Sequence, residues 1–368
     1  MRNDDLKKYI NFLRLKAKIK KKFSAFRGNT HIKDMSEFIP MYKKIWQEAA
    51  EKVSAEFFQI DQGIWKVVYD NRMTVINNYK VELDNPVILD LAGQRSLCFR
   101  LLQEKGLPVP DHLLFKYDDL EKVKEFLKQL GENYFVIKPA NGTSGARGIS
   151  THIRTLRECW SAIALASTYG EEVIIEKFIA GESYRLLVLD GKVIHVSRRR
   201  GNWIKCDGKS TIAQLIKKTD TFSHHDPTKN DLLSIKFNDR DMTAQLKFQG
   251  LTLNSIPDAQ QGVIVKSNPI ANEKFLEFRT VFNEDATGMV SKDLCDQAVR
   301  AARVLNSKFA GVDIITIDPK MPLEESGGVI NEINTTPGLH HHYNLQNDQG
   351  LSSAVPVLKY LLNIPENI

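Results

Sequence analysis

The apolar positions of this chain switch between two periods, and the switches mark its elements. MYKKIWQEAAEKV, beginning at residue 41, is a helix by its spacing, and FFQIDQGIWKVVYDNRMTVINNYKVELD, residues 57–84, follows as short strands. In NPVILDLAGQRSLCFRLLQEKGLPVP, residues 85–110, Leu97, Leu101 and Leu102 recur at helical spacing, Gly106 ends the run and two prolines punctuate its exit. DDLEKVKEFLKQL is a second amphipathic helix, and YFVIKPA after it is a strand. A glycine-rich loop, NGTSGARGIS, leads to a helix through Trp160. Strand, turn and strand follow in EVIIEKFIAGESYRLLVLDGKVIHVSRR, where Asp190-Gly191 between two alternating runs is a strong hairpin signal. After Ser210 the pattern loses its period as far as about Asn230. KDLCDQAVRAARVLN is a helix, AGVDIITID a strand, and GGVINEINTTPG, residues 327–338, a last strand interrupted by Asn331, Glu332 and Asn334. Hairpins mixed with helices predict an α+β or mixed α/β fold.

At 368 residues, 42% hydrophobic and 26% charged, the chain has the composition of a soluble globular protein with room for two or three cores. It has no run of eighteen apolar residues, so no membrane span is expected. The start of the chain has no apolar signal core, which together with the cysteines makes a cytoplasmic location the expectation. Cys98, Cys159, Cys206 and Cys295 lie far apart, a spacing that suits reduced thiols and neither a disulfide framework nor a zinc site. The net charge of +6 is concentrated: residues 1–27 carry ten Lys/Arg and two Asp, or +8, which leaves −2 for the rest. This basic, amphipathic leader could meet a membrane surface or nucleic acid, but a solvated helix face or flexible leader is the favoured reading. No nucleic-acid-binding motif accompanies it, so neither nucleic acid nor membrane is an expected partner.

Three groups of residues suggest chemistry. Side chains alternate along a strand, so Glu332 and Asn334 share a face, with Asn331 and Ile333 on the other. A hairpin from GVDIITI to VINEINT would put Asp313 beside that pair, and two carboxylates with an amide oxygen suit Mg²⁺. Alone, the trio reads first as a hydrogen-bond network or as charges on a solvated sheet face. Lys138, emerging from an apolar strand ahead of Gly142, Gly145 and Gly148, could place its ammonium on a phosphate while the loop exposes N–H groups to the same anion. The loop is neither a Walker A motif nor G-x-G-x-x-G, and by itself it could be a flexible turn. Glu176 to Ile179 could form an edge that reads adenine, or a plain strand end. Together, in this order, they compose a nucleotide site of a kind without a P-loop.

At these residues the chain resembles the ATP-grasp superfamily of carboxylate–amine ligases, and is most similar to the ATP-grasp portion of cyanophycin synthetases. The likeness runs over residues 85–345 and is carried by VIKPANGTSGARG, VIIEKFIAGESYRLLVLDGKVIHVSRR, DGKSTIAQLI, QGLTLNSIP, FAGVDIITID and GGVINEINTTPGL. It implies a nucleotide held between two α+β subdomains after an N-terminal domain. The corresponding boundaries are 1–110, with the leader 1–27, then 111–190 as lid subdomain and 191–368 as the subdomain carrying the Mg²⁺ sites.

The resemblance also implies roles. Lys138 would bind the α/β-phosphates and residues 142–148 would close over the triphosphate. Lys177, with the backbone of Phe178 and Ile179 and with Glu176 before it, would hold adenine; Asp313, Glu332 and Asn334 would hold one or two Mg²⁺, with Mn²⁺ able to substitute. Arg199 would stand by the transferring phosphoryl group as the catalytic residue, and Arg95 would replace the usual phosphate-reaching lysine. The expected activity is an ADP-forming ligation of a small metabolite, amino acid or peptide through an acyl phosphate, in a homodimer. A ligase like D-alanine–D-alanine or glutathione synthetases, or a non-catalytic nucleotide-binding protein, are the alternatives.

The chain departs from the family pattern in several places. Ser183 stands where an acidic ribose-binding residue is common, with Glu182 adjacent, and Ala146 lengthens the glycine loop by one. His340, His341 and His342 stand where cyanophycin synthetases tend to have an arginine, and a three-histidine run is more often a polar turn than a zinc site. No Mur-ligase-like unit or P-loop occurs before Ile368, so the expectation is one kind of amide bond rather than two in alternation.

Overall fold

The computed structural model describes residues 3–26, 38–141, 147–199, 201–223, 240–266, 283–342 and 353–365. Along the chain, helices α1 (Asn3–Phe26) and α2 (Ile39–Lys52) precede strands β1 (Glu56–Asp61), β2 (Ile64–Tyr69) and β3 (Arg72–Asn77). Next come α3 (Pro86–Gly93), α4 (Arg95–Glu104), β4 (His112–Lys116), α5 (Leu120–Leu130), β5 (Phe135–Pro139) and β6 (Ser150–Ile153). Then follow α6 (Leu156–Ala166), β7 (Glu172–Lys177), β8 (Glu182–Leu189), β9 (Lys192–Arg199), β10 (Asn202–Lys205), α7 (Ile212–Ser223) and α8 (Arg240–Phe248). The last are β11 (Gly262–Lys266), β12 (Asn283–Asp285), α9 (Lys292–Val304), β13 (Phe309–Thr316), α10 (Leu323–Ser326), β14 (Val329–Thr335) and α11 (Ala354–Leu361). The fold is mixed α/β, in two units that each interleave three stretches of chain: Met1–Ile32, Pro110–Phe178 and Arg200–Phe278 in the first, the remainder in the second.

The first unit is built on an antiparallel sheet of order β4-β7-β5-β6. Phe115, Phe135, Ile137, Val173 and Ile175 from its strands pack with Val123 of α5 and Trp160 and Ile163 of α6. A capping box starts α6: Glu158 N–H donates to Thr155 Oγ1 at 3.2 Å and Thr155 N–H to Glu158 Oε2 at 2.9 Å. Helix α1 is no loose leader, because Leu6 and Ile10 are buried in this same core. A smaller core of Ile204, Ile212, Leu215, Ile216, Met242, Val263 and Val265 joins the antiparallel pair β10-β11 to α7 and α8. The sequence pattern shows no period after Ser210, yet α7 forms there. Ile212, Leu215 and Ile216 give it one narrow apolar stripe, enough once β10 and β11 cover it.

The second unit carries a five-stranded antiparallel sheet, β12-β9-β8-β13-β14, and a meander of β1, β2 and β3 beside α2. Asp190 and Gly191 join β8 to β9 with φ of 43° and 79°, the pair of positive angles that a two-residue hairpin of matching twist needs. One face of the five-stranded sheet is apolar: Leu186, Val188, Val196, Ala310, Val312, Ile314, Ile330 and Ile333 pack on Phe99 and Leu102 of α4 and on Leu294, Ala298 and Ala302 of α9. Ser291 Oγ caps α9 by accepting from Leu294 N–H at 3.1 Å. The segment 86–104, continuous in its apolar pattern, breaks at Gln94, whose ψ of 81° ends α3 and begins α4.

Candidate active site

The polar face of the five-stranded sheet is set by register. Asp285 pairs with Ser197, Ser197 with Arg185, Arg185 with Asp313 and Asp313 with Glu332, a row that crosses all five strands. Two residues on, Gly311 pairs with Asn334. A bulge makes this possible. Ile314 pairs with Ile330 and Asp313 with Glu332, so Asn331 has no partner position, and the extra residue flips the strand between Ile330 and Glu332. Ile330 and Ile333 therefore both enter the core while Glu332 and Asn334 stay on the polar face. The strict alternation expected from the sequence would have sent Ile330 to the side of Glu332.

Asp313 is the centre of the row. Its carboxylate accepts from Arg185 Nε and Nη2, both at 2.6 Å, and from Arg199 Nη1 at 2.8 Å. Asn334 Nδ2 donates to Asp313 Oδ2 at 3.4 Å and to Gly311 O at 3.3 Å. Burial would raise the Asp313 carboxyl, but the two guanidiniums outweigh it and hold the pKa below the usual carboxylate value. Glu332, half-buried, makes an ion pair with Arg95 at the start of α4. Arg185 can reach Asp313 because position 311 is glycine: a Cβ there would lie 3.3 Å from Arg185 Cδ and 3.1 Å from Pro337 Cβ. Sequence reasoning missed Arg185, although a lone charge within YRLLVL was the available signal.

The residues expected to hold Mg²⁺ thus share one face, with three guanidiniums against two carboxylates. Among the described residues no group of three His, Cys, Asp or Glu side chains forms a ready cation cage. Oxygen donors from Asp313, Glu332 and Asn334 fit a divalent ion that arrives with anionic oxygens of its own, since the surplus positive charge favours an anion at the same place. Glu182 is not brought to this group. It lies on the opposite face of β8, where it takes Arg198 Nε at 2.9 Å and accepts from Tyr184 Oη at 3.1 Å.

The expected polar turn at residues 340–342 is instead buried. Leu339–His342 forms a 3-10 turn against β9 and β12, and all three imidazoles are in the interior. Gly338 permits it, as a Cβ there would lie 2.5 Å from His340 Cε1. Tyr42 Oη and His340 Nδ1 share a hydrogen bond at 2.5 Å, and His195 Nδ1 meets His342 Nδ1 at 2.8 Å. His195 Nε2 faces Asp285 Oδ1 at 3.6 Å. Burial, with Arg185 and Arg199 adding to it, pushes His340 down to about 3 and holds His341 and His342 well below their ordinary value. Burial also lowers His195, against the pull of Asp285. Burial pushes the Cys98 thiol up to about 11 and Cys159 to about 12, so neither is a ready nucleophile.

In the first unit, Lys138 Nζ lies 2.5 Å from Glu176 Oε1, both side chains buried on neighbouring strands β5 and β7. Lys177 N–H donates to Asp111 O at 2.8 Å, and Phe178 N–H to Tyr134 O at 2.7 Å. Phe178 stacks in an aromatic group with His152 and Phe248, at centroid distances of 4.5 and 5.3 Å. Ile179 begins the approach to β8 in the second unit. Gly148 has a φ of 78°. Gly142 and Gly145 lie outside the described residues.

The family model for the D-ala D-ala ligase C-terminus matches residues 101–205. The cyanophycin synthetase of Trichormus variabilis is 33% identical over 343 residues, which are 86% of this chain and 36% of that protein. The glutathione biosynthesis bifunctional protein of Listeria innocua is 29% identical over 275 residues, covering 72% of this chain and 33% of its own length. The chain thus spans about a third of the curated relatives it matches. Among solved structures, a bifunctional glutathione synthetase from Pasteurella multocida superposes with a TM-score of 0.54 at 21% identity, over 86% of this chain and 43% of that one. The chain has the fold of the ATP-grasp ligases, and over most of its length it is similar to one part of a cyanophycin synthetase.

Proposed function

We propose that the chain is an ATP-dependent carboxylate–amine ligase that forms an amide bond through an acyl phosphate, on an amino acid, small metabolite or peptide. The observation that carries this reading is the polar row of β8, β9, β13 and β14: two carboxylates and an amide on one face of one sheet, answered by Arg185 and Arg199 of the same sheet and by Arg95 from the start of α4. Such a face suits a polyanion together with a divalent ion. Asp313, Glu332 and Asn334 would hold Mg²⁺, which when bound neutralises charge on the triphosphate. Lys138 binds phosphate oxygens, and Lys177 with the backbone of Phe178 and Ile179 holds adenine. The substrate carboxylate attacks the γ-phosphorus, the bond to the bridging oxygen breaks and ADP leaves. An amine then attacks the acyl carbon and inorganic phosphate departs, with Arg199 stabilising the charge that develops on oxygen. No side-chain nucleophile is required, which agrees with the raised thiol pKa values of Cys98 and Cys159.

The test is ADP release across amino acids, dipeptides and simple amines, with mass spectrometry for a product lighter by one water than its two precursors. Glu332→Gln is the variant to pair with it, because Glu332 is half-buried and its loss spares the Asp313 cluster. The expected outcome is a fall in turnover of at least about a hundredfold with folding intact. Turnover within a fewfold of wild type would overturn the metal assignment.

A further inference from the structure

At the β9–β12 edge of the polar face three titratable side chains make a line. Asp285 Oδ1 stands 3.6 Å from His195 Nε2, and His195 Nδ1 stands 2.8 Å from His342 Nδ1. The outer end is wet, since the Asp285 side chain is 50% exposed. The inner end is not: His342 is buried, and its Nε2 has no hydrogen-bond partner among the described residues. A histidine pair that served only packing would be expected to have both ends satisfied.

The Asp285 carboxylate, 3.6 Å from His195 Nε2 and beyond hydrogen-bond range, favours by its charge the tautomer with the proton on that nitrogen. In that arrangement His195 Nδ1 accepts from His342 Nδ1–H, and His342 Nε2 is left with a bare lone pair. The groups around the pair are Arg185 from β8, Arg199 from β9, Asp285 from β12, Asp313 from β13, and His340 and His341 from the turn itself. Burial and the guanidiniums keep His342 neutral across the physiological range, so the lone pair is present whenever the enzyme works.

We propose that His342, His195 and Asp285 form a proton relay in which His342 Nε2 accepts the proton lost by the attacking amine and passes its equivalent outward to solvent at Asp285. The inference rests on the ligase reading above. As the amine nitrogen bonds to the acyl carbon, the C–O bond to the phosphoryl group breaks and phosphate leaves with the electron pair. The nitrogen's proton goes to His342 Nε2, the Nδ1 proton of His342 moves to His195 Nδ1, and His195 releases its Nε2 proton beside the Asp285 carboxylate. The Asp285 charge stabilises the intervening imidazolium.

The experiment uses the full chain with the amino acid or dipeptide that supports ADP release, and divides the reaction in two. Hydroxylamine traps the acyl phosphate as a hydroxamate, and the authentic amine gives the amide. His342→Gln is expected to form hydroxamate within about twofold of wild type, and to lose amide formation by about a hundredfold or more. Asp285→Asn, at a half-exposed site, shows a smaller loss of the same kind and covers the case in which the buried variant does not fold. Nitrogen-15 imidazole spectra of the wild type, assigned by the signal missing in His342→Gln, are expected to show His342 protonated on Nδ1. A His342 protonated on Nε2, an amide rate unchanged in both variants, or equal losses of hydroxamate and amide would overturn the relay. A wild type that releases no ADP with any member of the panel overturns the ligase reading itself, and the relay with it.

Discussion

At the scale of single residues, the site is a set of buried charges whose cost is met by particular partners. Lys138 and Glu176 lie 2.5 Å apart with side chains 5% and 3% exposed. Lys138→Met would leave the Glu176 carboxylate buried opposite a hydrocarbon, a loss of about 3–5 kcal/mol by the usual cost of breaking such a pair. Loss of ATP binding in that variant would therefore confuse a phosphate contact with unfolding. Lys138→Met/Glu176→Met should recover most of the stability in urea unfolding while still failing to bind ATP; a double variant as unstable as the single one would refute the pairing. The buried histidines and the salt-bridged carboxylate both lose stability as pH falls, but over different ranges. His340 is held at about 3, below its ordinary 6.5, so the unfolded chain takes up a proton first. Its contribution is present above 6.5 and lost as pH falls, reaching about 2 kcal/mol at pH 5. Asp313, held low, keeps its contribution until the pH falls below its ordinary carboxylate value of 3.8. Stability should thus decline between pH 7 and 4 chiefly through the buried imidazoles, and His340→Gln should flatten that decline. An unchanged slope in the variant would show that His340 is protonated in the folded state.

At the scale of elements, what was legible in the sequence is what period and turn chemistry carry. The strands through Lys138, Asp313 and Glu332, the Asp190-Gly191 hairpin and the shared face of Glu332 and Asn334 all follow from local pattern. The bulge at Asn331 was not legible, because VINEINT can be phased either as an unbroken strand or as two half-strands, and only the position of Asp313 opposite Glu332 decides. Arg185 was missed for a related reason: its role exists only because Gly311 on the next strand leaves the space it fills. The buried turn at 340–342 depends on contacts with Tyr42 and His195, nearly 300 and 150 positions away, which no window of sequence contains. The bulge yields a direct test. Deleting Asn331 removes only the unpaired residue and leaves Ile330 and Glu332 on opposite faces, so the protein should stay folded. Deleting Ile333 instead sends Asn334 toward the core, at a cost of about 2–5 kcal/mol for the isoleucine and about 1–3 kcal/mol for an unpartnered amide. Melting temperatures of the two deletions, if equal, would contradict the assigned register.

At the scale of the whole molecule, the net charge and the architecture give different accounts of the first helix. By charge alone, the +8 of residues 1–27 suggests an appendage for an acidic or membranous partner. In the structure, one side of α1 is a structural part of the first unit. Leu6 and Ile10 are 3% and 1% exposed, Arg14 Nε and Nη2 donate to Ser167 O at the end of α6 at 3.3 and 3.2 Å, and the Arg14 guanidinium sits 4.1 Å from the Tyr117 ring centroid. Removing residues 3–26 would strip those groups from a core that also holds α6, β5 and β7. Burial of the two aliphatic side chains alone is worth about 3–6 kcal/mol. Reversing the charge of exposed Lys7, Lys8 and Lys16 touches none of it and should change stability by no more than about 0.5 kcal/mol per site. The two units have separate cores, so hydrogen exchange distinguishes the outcomes: the truncation should expose the amides of α6 and β7 while β13, in the other unit, keeps its protection. Truncation that leaves α6 as protected as before, or charge reversal that melts it, would show that α1 is held by its lysines and not by the leucine, isoleucine and arginine it presents to the fold.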